Sequence, residues 1–75
     1  MTLTKHAMRR IVERNKAASY MTFKQLQSLI NSSEIIVIGT INAILLKSID
    51  LVLIVNTLNG KIVTAYNFST SKFNA

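Results

Sequence analysis

The chain reads as a single α+β domain, with two N-terminal helices packed on a four-stranded antiparallel β-meander, and three observations predict it. Apolar residues recur at helical spacing up to Ile30, bounded by capping residues. After Glu34 the texture changes to short β-branched runs cut by turn residues. The intervals between those runs are too short for helical crossovers, so successive strands are expected to pair antiparallel. The expected division is helical over 1–33, sheet over 34–68 and a flexible tail over 69–75, from which Phe73 can dock.

Thr4 is the expected N-cap of a first helix running to about Arg14, with Ala7, Met8, Ile11 and Val12 as its apolar stripe. Asn15, a residue tolerant of left-handed backbone, is expected to end it. For the second helix, Thr22-Phe23-Lys24-Gln25 fits a capping box, in which a threonine hydroxyl and a glutamine side chain satisfy each other's free backbone amides. Met21 and Leu26 flank it as a hydrophobic staple, Phe23, Leu26, Leu29 and Ile30 supply the buried face, and Asn31-Ser32-Ser33 closes the helix.

The strands are expected at Ile35-Ile36-Val37-Ile38, Ala43-Ile44-Leu45-Leu46, Leu51-Val52-Leu53-Ile54-Val55 and Ile62-Val63-Thr64-Ala65-Tyr66. Gly39-Thr40, residues 48–50 and Asn59-Gly60 separate them. Asn-Gly suits a two-residue type I′ turn, which needs positive φ at both positions. That turn would pair Leu58 with Lys61, Thr57 with Ile62, Val55 with Thr64 and Leu53 with Tyr66. Val63 and Ala65 would then face the helices together with Val52 and Ile54, leaving Thr64 and Tyr66 on the open face.

Composition narrows the function. At 49% hydrophobic residues the chain lies outside the disordered class. It has no cysteine, which removes disulfides, Cys-based zinc sites and a thiol nucleophile. The longest apolar run, residues 35–46, is interrupted by Gly39, Thr40 and Asn42 and falls short of the roughly 18–20 residues of a membrane span. The first residues run into a charged segment without a secretory apolar stretch, so cytoplasmic residence and no membrane partner are expected.

The net charge is +6, and six of the nine cations (Lys5, Arg9, Arg10, Arg14, Lys16 and Lys24) fall in the first 24 residues, beside Glu13 as the one acid. That lopsidedness suits a polyanion or an acidic protein surface. Arginine outnumbers lysine on the first helix, and the guanidinium fork matches phosphate geometry.

His6, Arg10 and Arg14 stand at i, i+4 and i+8, one ridge of a helix, flanked by Arg9 and Glu13. An imidazole beside guanidiniums suits phosphodiester cleavage: the imidazole moves the proton of a ribose 2′-hydroxyl while the guanidiniums hold the phosphate. Hydroxyls of Thr64 and Tyr66 are candidates to position the phosphate or donate a proton. Three scattered carboxylates and one histidine supply no two-metal or zinc site, and two glycines build no phosphate-cradling loop. A metal-free mechanism without a cofactor is what these residues allow.

The segment His6-Ala7-Met8-Arg9-Arg10-Ile11-Val12-Glu13-Arg14, together with Leu51 to Val55, Asn59-Gly60 and Ile62-Val63-Thr64-Ala65-Tyr66, resembles the barnase/EndoU/colicin/RelE-type ribonuclease superfamily. It is similar in particular to small bacterial toxin-like members that open with His-Ala-x-x-Arg-x-x-x-Arg and close with an Ile/Val-Thr-x-Tyr strand. The resemblance implies a metal-independent endoribonuclease that cuts tRNA or mRNA to a 2′,3′-cyclic phosphate and is held in check by an antitoxin or immunity protein. It implies His6 as the acid/base, Arg10 and Arg14 as phosphate clamps, and Thr64 with Tyr66 as the site's other wall. Arg9, Lys5 and Lys16 are expected to add RNA-binding charge. Two features depart from the pattern: Asn15 stands where a glycine often follows the second arginine, and the middle strands carry Lys47 alone. Two rival readings remain: a non-catalytic basic module that binds nucleic acid or a host nucleic-acid-handling protein, and a subunit whose sheet edge mediates homodimerisation.

Overall fold

The structure, a computed structural model, describes residues 1–74. Its elements run α1 (Lys5–Arg14), a 3₁₀ turn (Ala18–Tyr20), α2 (Phe23–Asn31), β1 (Ile36–Ile38), β2 (Ile41–Leu46), a 3₁₀ turn (Lys47–Ile49), β3 (Leu51–Asn56), β4 (Lys61–Asn67) and a last 3₁₀ turn (Phe68–Thr70). The strands form one antiparallel sheet in the order β1-β2-β3-β4. Two helices followed by this sheet make the α+β architecture that the periodicity predicts. No helix of the described residues is long and apolar enough to cross a membrane.

Both expected N-caps form. The Thr4 hydroxyl accepts from Ala7 N at 3.0 Å, and Thr22 and Gln25 exchange bonds of 2.9 and 3.1 Å as a complete capping box. The helices bury Ile11, Leu26 and Ile30 against Ile44, Leu46, Leu51, Leu53, Val55 and Ala65 of the sheet. Phe23, expected on that buried face, is exposed on the first turn of α2.

The β3–β4 hairpin departs from expectation. Asn56 pairs with Lys61, so the loop holds residues 57–60 and is not a two-residue turn. Gly60 takes the positive φ of +69°, while Asn59 does not share it, as a type I′ turn would demand. Gly60 N donates to Asn56 O, and the Asn56 and Asn59 side chains accept from Leu58 N and Lys61 N. The connection that does hold two residues is Gly39-Thr40, where Gly39 at φ +63° sits first, as a type II′ turn requires.

Register explains the difference. β4 slips by one residue between Ile54↔Thr64 and Val55↔Ile62, and Val63 is the extra residue of the bulge, 62% exposed. Leu53 therefore pairs with Ala65 and Val52 with Tyr66. A one-residue slip exchanges sheet faces, and this one points the larger set, Leu51, Leu53 and Val55, at the helices. Val52, Ile54 and Val63 do not share the helix-facing side with Ala65 as expected. Thr64 and Tyr66 keep their expected place on the opposite face.

Asn15 also differs. It is in extended backbone, not left-handed, and is 3% exposed. Its Oδ1 accepts from Ala18 N at 2.8 Å, and its Nδ2 donates to Ile49 O, Asp50 O and Asn67 Oδ1, each at 3.0 Å. Two N–H groups serve three acceptors there, so one is shared. The left-handed non-glycine residue among the described ones is instead Asp50 at φ +56°, ending the 3₁₀ turn before β3. Its carboxylate accepts from Ser69 N and Ser69 Oγ, and its carbonyl from Phe68 N. The segment expected as a flexible tail thus starts with a bonded turn, and Phe73 beyond it is half-buried; Ala75 lies outside the described residues.

Residues at the start of the chain add a feature that no periodicity signals. Thr2 bridges Lys61 in parallel and donates to Gly60 O at 3.0 Å, capping the beginning of the β4 edge. Leu3 is buried in the core, and Gln27 of α2 bonds both Leu3 N and Met1 O.

Replacing Asn15 by alanine strands the buried Ala18 amide and takes a partly buried donor from Ile49 O and Asn67 Oδ1, while Asp50 O keeps its bond from Phe68 N, at about 2 kcal/mol. For a domain of this size the expected loss is about 10 °C in Tm. Asn31→Ala, which removes an exposed bond to Gln27, is expected to shift Tm by less than about 3 °C in the same thermal melts.

Candidate phosphate groove and aromatic ledge

The site begins with the helical repeat. Residues four apart on a helix stack one above another, so burial of Ile11 turns the neighbouring row, His6, Arg10 and Arg14, toward the edge of the sheet. α1 lies beside β4, and a groove opens between them. His6, Arg10, Arg14 and Thr4 line it from the helix, Thr64 and Val63 from the strand, and Ala7, Ile11, Ile62 and Ala65 complete its apolar part.

The structure thus brings together four of the residues singled out from sequence: His6, Arg10, Arg14 and Thr64. Lys5, Arg9 and Lys16, exposed like His6, Arg10 and Arg14, stand outside this lining. Tyr66 does not share it. Tyr66, half exposed, lines two neighbouring cavities: one with Arg14, Asn67, Thr70 and Ser71, the other with Thr64, Ile54, Ile41, Lys72 and Phe73 on the face away from the helices. The pairing of His6 with Tyr66 around a single phosphate is therefore not what the geometry presents. Arg14 and Ala65 line both the groove and the cavity beside Tyr66, and Thr64 lines both the groove and the outer cavity.

Size separates what each space can take. The groove offers about 90 Å³, far below the roughly 300 Å³ at which organic-ligand pockets begin. It suits a group of a few heavy atoms, such as a phosphate. The cavity between Tyr66 and Phe73 offers about 440 Å³, room for a planar ring. Among the groove's described lining residues there are two guanidiniums and no carboxylate, so its field favours an anion. Arg14 also stands in the last turn of α1, where the helix dipole favours a cation.

Several contributors carry no recognisable signal in the sequence. Asn67 donates from Nδ2 to Arg14 O at 3.3 Å while its Oδ1 accepts from Asn15, fastening the end of α1 to the end of β4. Its distance of more than fifty residues from those partners hides the link. Thr70, Ser71, Lys72 and Phe73 sit in a polar stretch that reads as a loose tail. The serine and threonine run could have suggested the tight turns found there, where the Ser71 hydroxyl donates to Phe68 O. Lys72 places its ammonium 5.6 Å from the Phe73 ring centre, and Lys47 sits similarly over Phe68.

No family model matches the chain, and no match is found among curated proteins or solved structures. The functional reading rests on the groove itself.

Proposed function

We propose that the protein is a small metal-independent endoribonuclease of the toxin type, acting on single-stranded parts of tRNA or mRNA with the α1–β4 groove as its reaction site. The observation that carries the reading is the joint lining of one phosphate-sized space by His6, Arg10, Arg14 and Thr64.

In this mechanism Arg10 and Arg14 hold the scissile phosphate, and the Thr64 hydroxyl hydrogen-bonds one of its oxygens. The ribose 2′-oxygen attacks phosphorus as its proton passes to the His6 imidazole. The bond from phosphorus to the 5′-oxygen breaks, and that oxygen takes a proton from the imidazolium or from water. The products are a 2′,3′-cyclic phosphate and a 5′-hydroxyl. Tyr66, which lies outside the groove lining, has no part in the proton transfer.

One observation favours the rival reading of a non-catalytic RNA-binding module: His6 is the one imidazole in the groove and no carboxylic acid joins it. The two readings share the phosphate contacts and differ in whether the chain is cut.

Cleavage of total RNA in EDTA separates them. His6→Ala is expected to lower the rate about 10²–10⁴-fold, the usual contribution of one acid/base, with cyclic-phosphate ends in the wild-type products. Tyr66→Phe is expected to cut within about threefold of wild type, as a phenol outside the proton path requires. RNA left intact by wild type, or cut equally by His6→Ala, removes the catalytic reading.

Binding of a 2′-O-methyl oligonucleotide gives the second check. Log affinity falls with log salt in proportion to the phosphates neutralised, about 0.7 per contact on single strands. Arg10→Ala and Arg14→Ala are each expected to reduce the slope by about that amount, and Lys24→Ala on α2 to leave it unchanged.

A further inference from the structure

The geometry points to a base-stacking ledge formed by Tyr66 and Phe73, which we propose takes the bases of single-stranded RNA as the strand leaves the phosphate groove and crosses onto the outer face of the sheet. The inference rests on the reading of the groove as an RNA site and extends that site around the β4 edge.

Three neighbouring spaces share lining residues around the β4 edge. The groove shares Arg14 and Ala65 with the cavity beside Tyr66 and Asn67. That cavity shares Tyr66, Thr70 and Ser71 with the larger one that reaches Phe73. Cations accompany both aromatic residues, Arg14 in the cavity beside Tyr66 and Lys72 beside Phe73, the combination of charge and ring that suits a polyanion carrying flat bases.

The tyrosine ring is available for this role. Tyr66 is 50% exposed on a strand whose partner Val52 is fully buried, so a rigid backbone holds a half-open aromatic face. Phe73 is half-buried, with the Lys72 ammonium over its ring. On binding, that ammonium gives way to the base and pairs with the phosphate of the same nucleotide. Stacking of this kind accepts any base, because each has a π-face, so the ledge adds affinity without a strong sequence preference. Tyr66 is then a substrate-contacting residue whose ring, not its hydroxyl, matters.

The test is fluorescence anisotropy with a labelled 2′-O-methyl pentanucleotide, which cannot be cut. Tyr66→Ala and Phe73→Ala are each expected to weaken binding about tenfold with the salt slope unchanged. Tyr66→Phe, which keeps the ring, is expected to bind within about twofold of wild type, and replacing the bases by abasic sugars should erase the difference between wild type and Tyr66→Ala. Circular dichroism and thermal melts verify that each variant is folded before its affinity is compared. If Tyr66→Ala and Phe73→Ala bind as wild type while Arg10→Ala is weakened, the ledge is wrong and the groove stands. If Tyr66→Phe is as weak as Tyr66→Ala, the contact belongs to the hydroxyl and stacking is wrong. If wild type itself does not bind the oligonucleotide, the RNA reading of the groove falls and the ledge with it.

Discussion

A single buried amide holds together everything on which the groove depends. Asn15 lies where α1 stops, where β2 passes into β3 and where β4 ends, and its side chain bonds all three places. In water these groups lose little by parting, but in a buried position each unmet donor or acceptor costs free energy comparable to the bond it lacks. The chain therefore has one low-energy way to set the end of α1 against the end of β4. The rest of the helix follows: Arg14 is tied through its carbonyl to Asn67, and Arg10 and His6 lie one and two turns back, about 6 Å apart along the axis.

The apolar core sets the other half of the arrangement. Leu51, Leu53 and Val55 face the helices only because β4 carries a bulge and a four-residue loop, which places Ala65 opposite Leu53. The small Ala65 side chain lets α1 lie close to the strand, and Thr64, the residue before it, faces the other side of the sheet at the strand edge, where it lines both the groove and the outer cavity. A hydrophobic demand thus positions a polar residue that the core itself does not use.

Much of this was legible in the sequence and some was hidden from it. The helices, their caps and the strand order follow from periods and turn residues that act within a few positions. The His6, Arg10 and Arg14 row follows from helical geometry alone. What escaped depended on distant partners. Asn15 and Asn67 meet across a separation of 52 positions, and an isolated asparagine carries no mark of its partner. Asn59-Gly60 carries a strong local preference for a two-residue turn, yet the burial of three large β3 residues outweighed it and shifted the register by one. Tyr66 keeps the open-face place that strand alternation predicts, and it lines other spaces than the one His6 lines, a separation set by where α1 packs that no local rule could have shown.

On the proposed reading, a phosphate-sized groove holds the backbone of an RNA strand and an aromatic surface takes its bases. The most direct measurement of that account is the NMR spectrum of the isotope-labelled protein titrated with a trinucleotide that carries a 2′-deoxyribose at the cleavage position. The account predicts that the His6 ring signals move together with the Arg10, Arg14 and Thr64 resonances, saturating at one common concentration. Shifts confined to α2 or to the β1–β2 hairpin, with the His6 ring undisturbed at saturation, would contradict it.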